Sequence, residues 1–360
     1  METLKNILLV SLPTISILLL ILEVIVRTVI PAADPPQSFF NEKEKMFCFS
    51  NEKETGTYTI GPFAEIRTRW RINNMGWNYP IDYYPIKNKK LIAIIGDSYI
   101  EAFEVDVGKN YAFLLRERLK NDYEVYAFGK SGAPLSQYLH ISKYVNRHFD
   151  PDVLIFNLVS NDFDESIQEL KPHAYCFLQV SISAHDSITE TIPRSDPSLA
   201  QYTPLKRLVF RSALFRYLYL NLKTKQIVSR LFAISKNREA SFSPDDVKRK
   251  KRQIIRVTDY LVRTIRQENS NKRVIFVMDA PRNAIYRNTL DKSDVTWMYE
   301  MMATICRQNN TEFIDMTPYM REAFESTGKR YETDCDNHWN EYGHEFVADV
   351  LYRYLANITH

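Results

Sequence analysis

The chain has 360 residues, 45% of them hydrophobic and 25% charged, which is enough apolar side chain for a full core and excludes a wholly disordered polypeptide. A formal net charge of +3 is small for this length and gives no reason to expect nucleic acid or a strongly acidic partner. Four cysteines, Cys48, Cys176, Cys306 and Cys335, lack paired metal-ligand spacing and are too sparse for a disulfide framework; Cys335 reads as a small buried filler rather than a nucleophile.

Ile7 to Val26 forms an apolar run about long enough to cross a bilayer as a helix, densest from Ile17 to Leu22. Residues 1–30 are therefore read as an N-terminal transmembrane anchor. A cleaved signal peptide processed near Ala32-Ala33 is the rival, but the run is long, and Glu23 and Arg27 interrupt it. Lys5 and the terminal amine precede the helix and Arg27 follows it, a slight bias toward an extracytoplasmic, periplasmic catalytic domain. Residues 31–90 open with the juncture Pro31 to Pro36 and continue as a polar, aromatic lead-in of short strands. Arg69 to Gly76 alternates partly and ends at a turn signal, predicting a hairpin there.

From Leu91 onward, residues 91–360 alternate strand and helix: strand Leu91 to Ile95, helix near Tyr111 to Lys120, strand Val125 to Phe128, helix near Ser136 to His148, strand Val153 to Val159. The pattern resumes with strand Arg273 to Met278, a helix around Val295 to Gln308, strand Phe313 to Asp315 and a closing helix from Glu345 to Leu355. Such alternation predicts an α/β domain with a parallel sheet flanked by helices. The interruption, about 165–270, is longer than an ordinary connection and is read as a helical insertion. Ser243-Pro244-Asp245-Asp246 is a helix start, after which Val247, Ile254, Leu261 and Ile265 mark one face; Lys206 to Leu222 is aromatic, basic and predicted helical. The basic run Lys248 to Arg252 is a solvated helix face by default, with anionic lipid or glycan as the alternative partner.

The chemistry-bearing residues fall in the loops after the strands. Gly96-Asp97-Ser98 follows the first strand, Gly132 lies in the loop after the second, and Asn161-Asp162 follows the third. Carboxyl ends of parallel strands are where such sheets bind ligands. A serine hydroxyl needs an imidazole to take its proton and a carboxylate to orient that imidazole, and Asp336-Asn337-His338 supplies both near the chain end. Acyl transfer also needs donors for a developing oxyanion, which the Gly132 N–H and the Asn161 amide can provide. Gly-Asp-Ser alone is a weak signal, since noncatalytic turns share it.

Taken in order, Gly96-Asp97-Ser98, Gly132, Asn161-Asp162 and Asp336-x-His338 resemble the SGNH (GDSL-type) hydrolase family, over about Leu91 to the C-terminus without the insertion. That resemblance implies a flavodoxin-like three-layer α/β/α fold with neither metal nor organic cofactor. It implies Ser98 as nucleophile, His338 as base and Asp336 as its orienter, with the N–H groups of Ser98 and Gly132 and the Asn161 amide forming the oxyanion hole. Tyr99 stands where the family's short name has leucine, and Val159 where a glycine often precedes the asparagine by two. The family's aspartate, three residues before the histidine, is Cys335 here; Asp336 is two before and Asp334, the reserve, four before. Asp-x-His-Trp-Asn over Asp336 to Asn340 is similar to the form in SGNH-like polysaccharide O-acetyltransferases. His344 is expected to be structural or capping, Asp97 and Asp162 to hold loops, and Arg282 to be either a substrate contact or a plain surface-loop arginine.

The resemblance implies a serine esterase acting on O-acyl, chiefly O-acetyl, esters of a carbohydrate or other acylated small molecule. A polysaccharide O-acetyltransferase would use the same triad. A noncatalytic glycan-binding or assembly subunit, for which the displaced acid argues, and a lipid esterase or thioesterase near the bilayer are the remaining readings.

Overall fold

The computed structural model describes residues 7–85, 88–172, 176–183, 187–195, 208–222 and 244–356. The capping serine expected at 243, the start of the helix expected at 206, and Lys5 lie outside these residues. A π-helical turn, Ile7–Ser11, runs into α1, Leu12–Thr28, most of whose side chains are exposed. Leu9–Thr28 is long and apolar enough to cross a membrane, with a mean hydropathy of 2.6; a signal sequence would meet the same test.

Two antiparallel hairpins follow: β1, Ser38–Asn41, with β2, Met46–Phe49, and β3, Thr55–Ile60, with β4, Ile66–Arg71. The second places Trp70 against Phe49 and Phe103 in a small core of its own. The hydroxyls of the buried Tyr79 and Tyr83 donate to the carbonyls of Val125 and Ala127 at 2.7 and 2.8 Å. The lead-in thereby satisfies backbone acceptors on a strand that would otherwise be an open sheet edge.

The main sheet has five parallel strands in the order β11-β10-β7-β5-β6. They are β5, Lys90–Gly96; β6, Tyr123–Gly129; β7, Val153–Leu158; β10, Arg273–Met278; and β11, Glu312–Asp315. Counted along the chain this is 2-1-3-4-5, the flavodoxin-like order. Leu91 to Gly96 and all of β7 are buried, as continuous apolar runs require when helices cover both faces of a sheet. Helix α2, Ser98–Glu101, follows β5, and α3, Tyr111–Leu119, precedes β6. The helices α4, Leu135–Phe149, and α5, Asp162–Glu165, follow β6 and β7.

The interruption is mixed rather than wholly helical. It contains a hairpin, β8, Gln179–Ile182, with β9, Ile188–Thr191, and then α6, Ala213–Arg216, continued by the π-helical turn Tyr217–Asn221. Its last helix, α7, Pro244–Glu268, buries Ile254, Val257, Leu261, Val262 and Ile265 and packs on α4, so it is the crossover between β7 and β10 rather than an addition. Sequence alone joined it to the insertion because the pattern before it is irregular; Val247, expected on its apolar face, is exposed.

Past β10 come α8, Arg282–Tyr286; α9, Thr296–Gln308; and α10, Thr317–Thr327, the first and last not foreseen. A short pair, β12, Glu332–Thr333, and β13, Asp336–Trp339, leads to α11, Glu341–Ala356. Helix α11 packs against α3, while α7 packs against both α4 and α9, giving the three layers. It starts four residues before the expected Glu345, because the Asn340 side chain accepts from the Gly343 N–H at 2.9 Å and caps the first turn. Cys335 is exposed in the β12–β13 turn rather than buried, since that two-strand connection leaves it no layer to pack under.

Candidate active site

Ser98 begins α2 immediately beyond β5, a strand flanked by β6 and β7. Asp97 shapes this turn: its carboxylate accepts from the Tyr99 N–H at 3.0 Å. Gly129 lets the turn approach, because a Cβ there would stand 2.0 Å from the Glu101 backbone nitrogen. Ala102, in the left-handed region at φ +51°, ends the helix.

The His338 ring comes from β13. Its Nε2 lies 2.7 Å from Ser98 Oγ and its Nδ1 2.5 Å from Asp336 Oδ1, an unbroken relay of hydroxyl, imidazole and carboxylate. Asp336 also accepts from the His338 N–H at 2.9 Å, so the two-residue spacing closes a local turn that presents carboxylate and ring together. The side chain of Asp334, the reserve acid, is 98% exposed and paired only loosely with Arg330 at 3.4 Å. Of the two acids, Asp336 is the one hydrogen-bonded to the His338 ring.

Glu104, which sequence reasoning missed, is a second carboxylate on the same ring. Its side chain is 9% exposed and Oε1 lies 3.5 Å from His338 Nδ1. The available signal was an acid held between Phe103 and Val105 shortly after the serine. Burial and the neighbouring Asp336 charge push Glu104 up to about 7, against the pull of His338. Burial favours a neutral His338, but the Asp336 hydrogen bond and the charges of Glu104, Asp336 and Asp97 outweigh it and raise the imidazole to about 9. Asp97 itself is raised to about 6 by burial. His344 is held down at about 3 by burial, and its Nδ1 accepts from the Tyr111 N–H at 3.2 Å, a structural role. Ligand atoms of Glu104, Asp336 and His338 lie within 4.8 Å of one another. Nδ1 is committed to Asp336 and Nε2 to Ser98, however, so the set is arranged for proton movement.

Gly132 and Asn161 sit beyond the carboxyl ends of β6 and β7, the two neighbours of β5. Gly132 takes φ +76°, and its loop is tied to the serine helix. The Lys130 N–H donates to the Gly96 carbonyl at 3.1 Å, the Ser131 N–H to Glu101 at 3.1 Å, and the Ser131 hydroxyl bonds Glu101 as well. Buried Lys130 pairs with Glu101 at 3.3 Å and lies over the Phe49 ring at 3.2 Å, a cation held by a carboxylate and the lead-in hairpin. The Asn161 amide donates one N–H to Glu165 at 3.0 Å. Asp162 accepts from the Val159 N–H at 2.8 Å and the Tyr138 hydroxyl at 3.0 Å, holding the loop as expected.

Arg282 borders a cavity but is held by partners rather than left as a plain surface-loop arginine. Its side chain is 9% exposed and paired with Asp279 at 3.2 Å and Glu332 at 2.8 Å. It also donates to the Tyr99 hydroxyl and the Asn337 carbonyl, each at 2.6 Å. Trp339 donates to Asp279 at 3.0 Å and meets Tyr99 edge-on at 4.8 Å. Arg282 therefore braces the histidine turn against the serine helix.

Ser98, Glu104, Asp336 and His338 open into a cavity of about 480 Å³, walled by Tyr58, Thr59 and Ile60 of β3 and by Tyr219 and Leu220. A second cavity, of about 370 Å³, borders Tyr99, Asn161, Arg282 and Asn337.

Residues 94–346 match a model of the GDSL-like Lipase/Acylhydrolase family. No curated protein matches the sequence. Similar solved structures include a member of the lipolytic protein G-D-S-L family from Veillonella parvula, at 12% identity over 72% of this chain and 94% of that one, with a TM-score of 0.38. A carbohydrate esterase family 2 enzyme plus carbohydrate binding domain from Corynascus thermopiles (Myceliophthora fergusii) shares 14% identity over 78% and 69%, with a TM-score of 0.39. A catalytic mutant of Axe2, an acetylxylan esterase from Geobacillus stearothermophilus, shares 12% over 75% and 95%, with a TM-score of 0.36.

Proposed function

Since this chain belongs to the GDSL-like lipase/acylhydrolase family of ester hydrolases, we propose that it cleaves O-acyl esters, chiefly O-acetyl groups on carbohydrate, through an acyl-Ser98 intermediate. The observation that carries this reading is the relay from Ser98 Oγ through His338 to Asp336, with contacts of 2.7 and 2.5 Å. Ser98 Oγ adds to the ester carbonyl carbon as its proton passes to His338 Nε2. The oxyanion is met by the N–H groups of Ser98 and Gly132 and the second N–H of Asn161. Collapse breaks the bond to the alcohol, which leaves with the proton from Nε2, and water then repeats the sequence to free the acid.

The cavity beside Ser98, about 480 Å³, lies within the range of small-ligand sites, and its Tyr58 and Tyr219 rings suit a sugar face. The intact relay disfavours a binding-only subunit, which has no use for a serine bonded to an imidazole. Transfer to a sugar hydroxyl instead of water has one observation in its favour: the second cavity, about 370 Å³, adjoins Tyr99 and Asn161 and has room for an acceptor. Leu9–Thr28 anchors the enzyme to the membrane in this reading, with the catalytic domain outside the cytoplasm.

The test is hydrolysis of acetylated oligosaccharides beside simple esters of increasing chain length, by wild type and Ser98→Ala. Serine-dependent release of acetate from the sugars is expected; activity retained by the variant, or confined to long acyl chains, overturns the reading. Adding unacetylated acceptor and following acetyl transfer separates transferase from hydrolase.

A further inference from the structure

Helix α1 does not end free in solvent. Both carboxylate oxygens of Glu23 are filled by residues distant in sequence: the Ser212 hydroxyl at 2.9 Å and the N–H groups of Ala213 and Leu214, each at 2.8 Å. Arg27 donates to the Arg211 carbonyl at 3.0 Å, and Val26, Ala32 and Ala213 form one buried cluster. Asn221 ties the far end of this segment down, accepting from the Ala33 N–H at 2.9 Å and donating to Thr59 at 2.9 Å.

Glu23 lies five residues before Thr28, hence about 7.5 Å inside the end of the helix at 1.5 Å per residue. A carboxylate at that depth in an anchor needs donors brought to it, and residues 212–214 bring them. The same segment turns Leu208, Phe215, Leu218 and Tyr219 outward, 62%, 36%, 42% and 38% exposed. The Phe215 and Tyr219 rings lie stacked with centroids 6.0 Å apart, and Arg27 and Arg211 are exposed beside them. An apolar, aromatic face edged by cations, at a depth of about 5–10 Å, is how interfacial segments sit among lipid headgroups.

We propose that residues 208–222 are a membrane-interface segment: seated on Glu23, they rest their apolar face in the headgroup layer and wall the catalytic cavity from that side. Tyr219 and Leu220 line the cavity that holds Ser98 and His338, together with Ala33 and Pro35 from the end of the anchor. Ala33 is five residues past Thr28, so the cavity wall lies at most about 18 Å of chain from the anchor's end. The enzyme thus works at the bilayer surface, on esters presented there. This inference rests on the reading of Leu9–Thr28 as an uncleaved anchor.

The test uses the full-length protein, with Cys48 and Cys335 changed to serine, in vesicles of phosphatidylcholine and phosphatidylglycerol. A bimane fluorophore is placed at Leu18→Cys or Leu218→Cys, and hydrolysis of a soluble ester serves as the check on folding. Loss of fluorescence to nitroxide-bearing lipid at both positions, with shielding from aqueous iodide, is the expected result. Quenching of Leu18→Cys by lipid while Leu218→Cys responds to iodide alone overturns the interfacial segment and leaves the anchor standing. Failure of lipid to quench either position removes the anchor reading, and this inference with it.

Discussion

At the scale of single residues, the site turns on which carboxylates face His338. Asp336 bonds Nδ1 at 2.5 Å, whereas the Asp334 side chain is 98% exposed. Asp336→Asn should therefore lower kcat by roughly 10³–10⁴-fold, because an amide favours the wrong imidazole tautomer, while Asp334→Asn should leave kcat and KM unchanged. Steady-state kinetics on one soluble ester decides between them. The base must be neutral to accept the serine proton, so an imidazole raised to about 9 predicts that kcat/KM climbs as pH rises into that region. The Glu104 carboxylate favours the imidazolium, so Glu104→Gln removes part of that support. Its rising limb should shift toward neutral pH, giving relatively more activity near pH 7. A midpoint unmoved in Glu104→Gln would show that Glu104 does not bear on the base.

Individual elements place these residues, and here the sequence was uneven as a guide. The buried runs of β5 and β7, each ending in small polar residues, made the sheet and the serine turn readable because parallel strands covered on both faces carry a plain apolar signature. The role of Arg282 was not readable: Asp279 stands three residues before it, but Glu332, Tyr99 and Asn337 come from distant elements that no local pattern brings to it. Glu104, Glu101 and Lys130 were missed for the same reason, since their significance depends on burial. Bracing rather than substrate contact predicts that Arg282→Met destabilises the fold by about 3–5 kcal/mol, because buried Asp279 loses its cation while Glu332 keeps only Arg330. Thermal unfolding reports this directly; an unchanged Tm with a raised KM would restore Arg282 as a substrate contact. The crossover helix α7 was assigned to the insertion because periodicity reveals an apolar face but not what covers it.

Across the whole molecule, the lead-in and the residues just past α1 pack around the Ser98 cavity rather than standing apart from the main domain. The β1–β2 hairpin covers Lys130 with Phe49, β3 walls the serine cavity, and α1 holds the segment that closes its other side. None of this long-range assembly was legible in the chain, whereas a few spaced motif residues were enough to indicate the family. The central claim is that Ser98 is a nucleophile activated by His338. The most direct measurement is labelling of the full-length protein with a fluorophosphonate, followed by peptide mass spectrometry. The account predicts one adduct, on Ser98, absent from Ser98→Ala and strongly slowed in His338→Ala. An adduct on another residue, or a folded, ester-hydrolysing wild type that carries none, would contradict it.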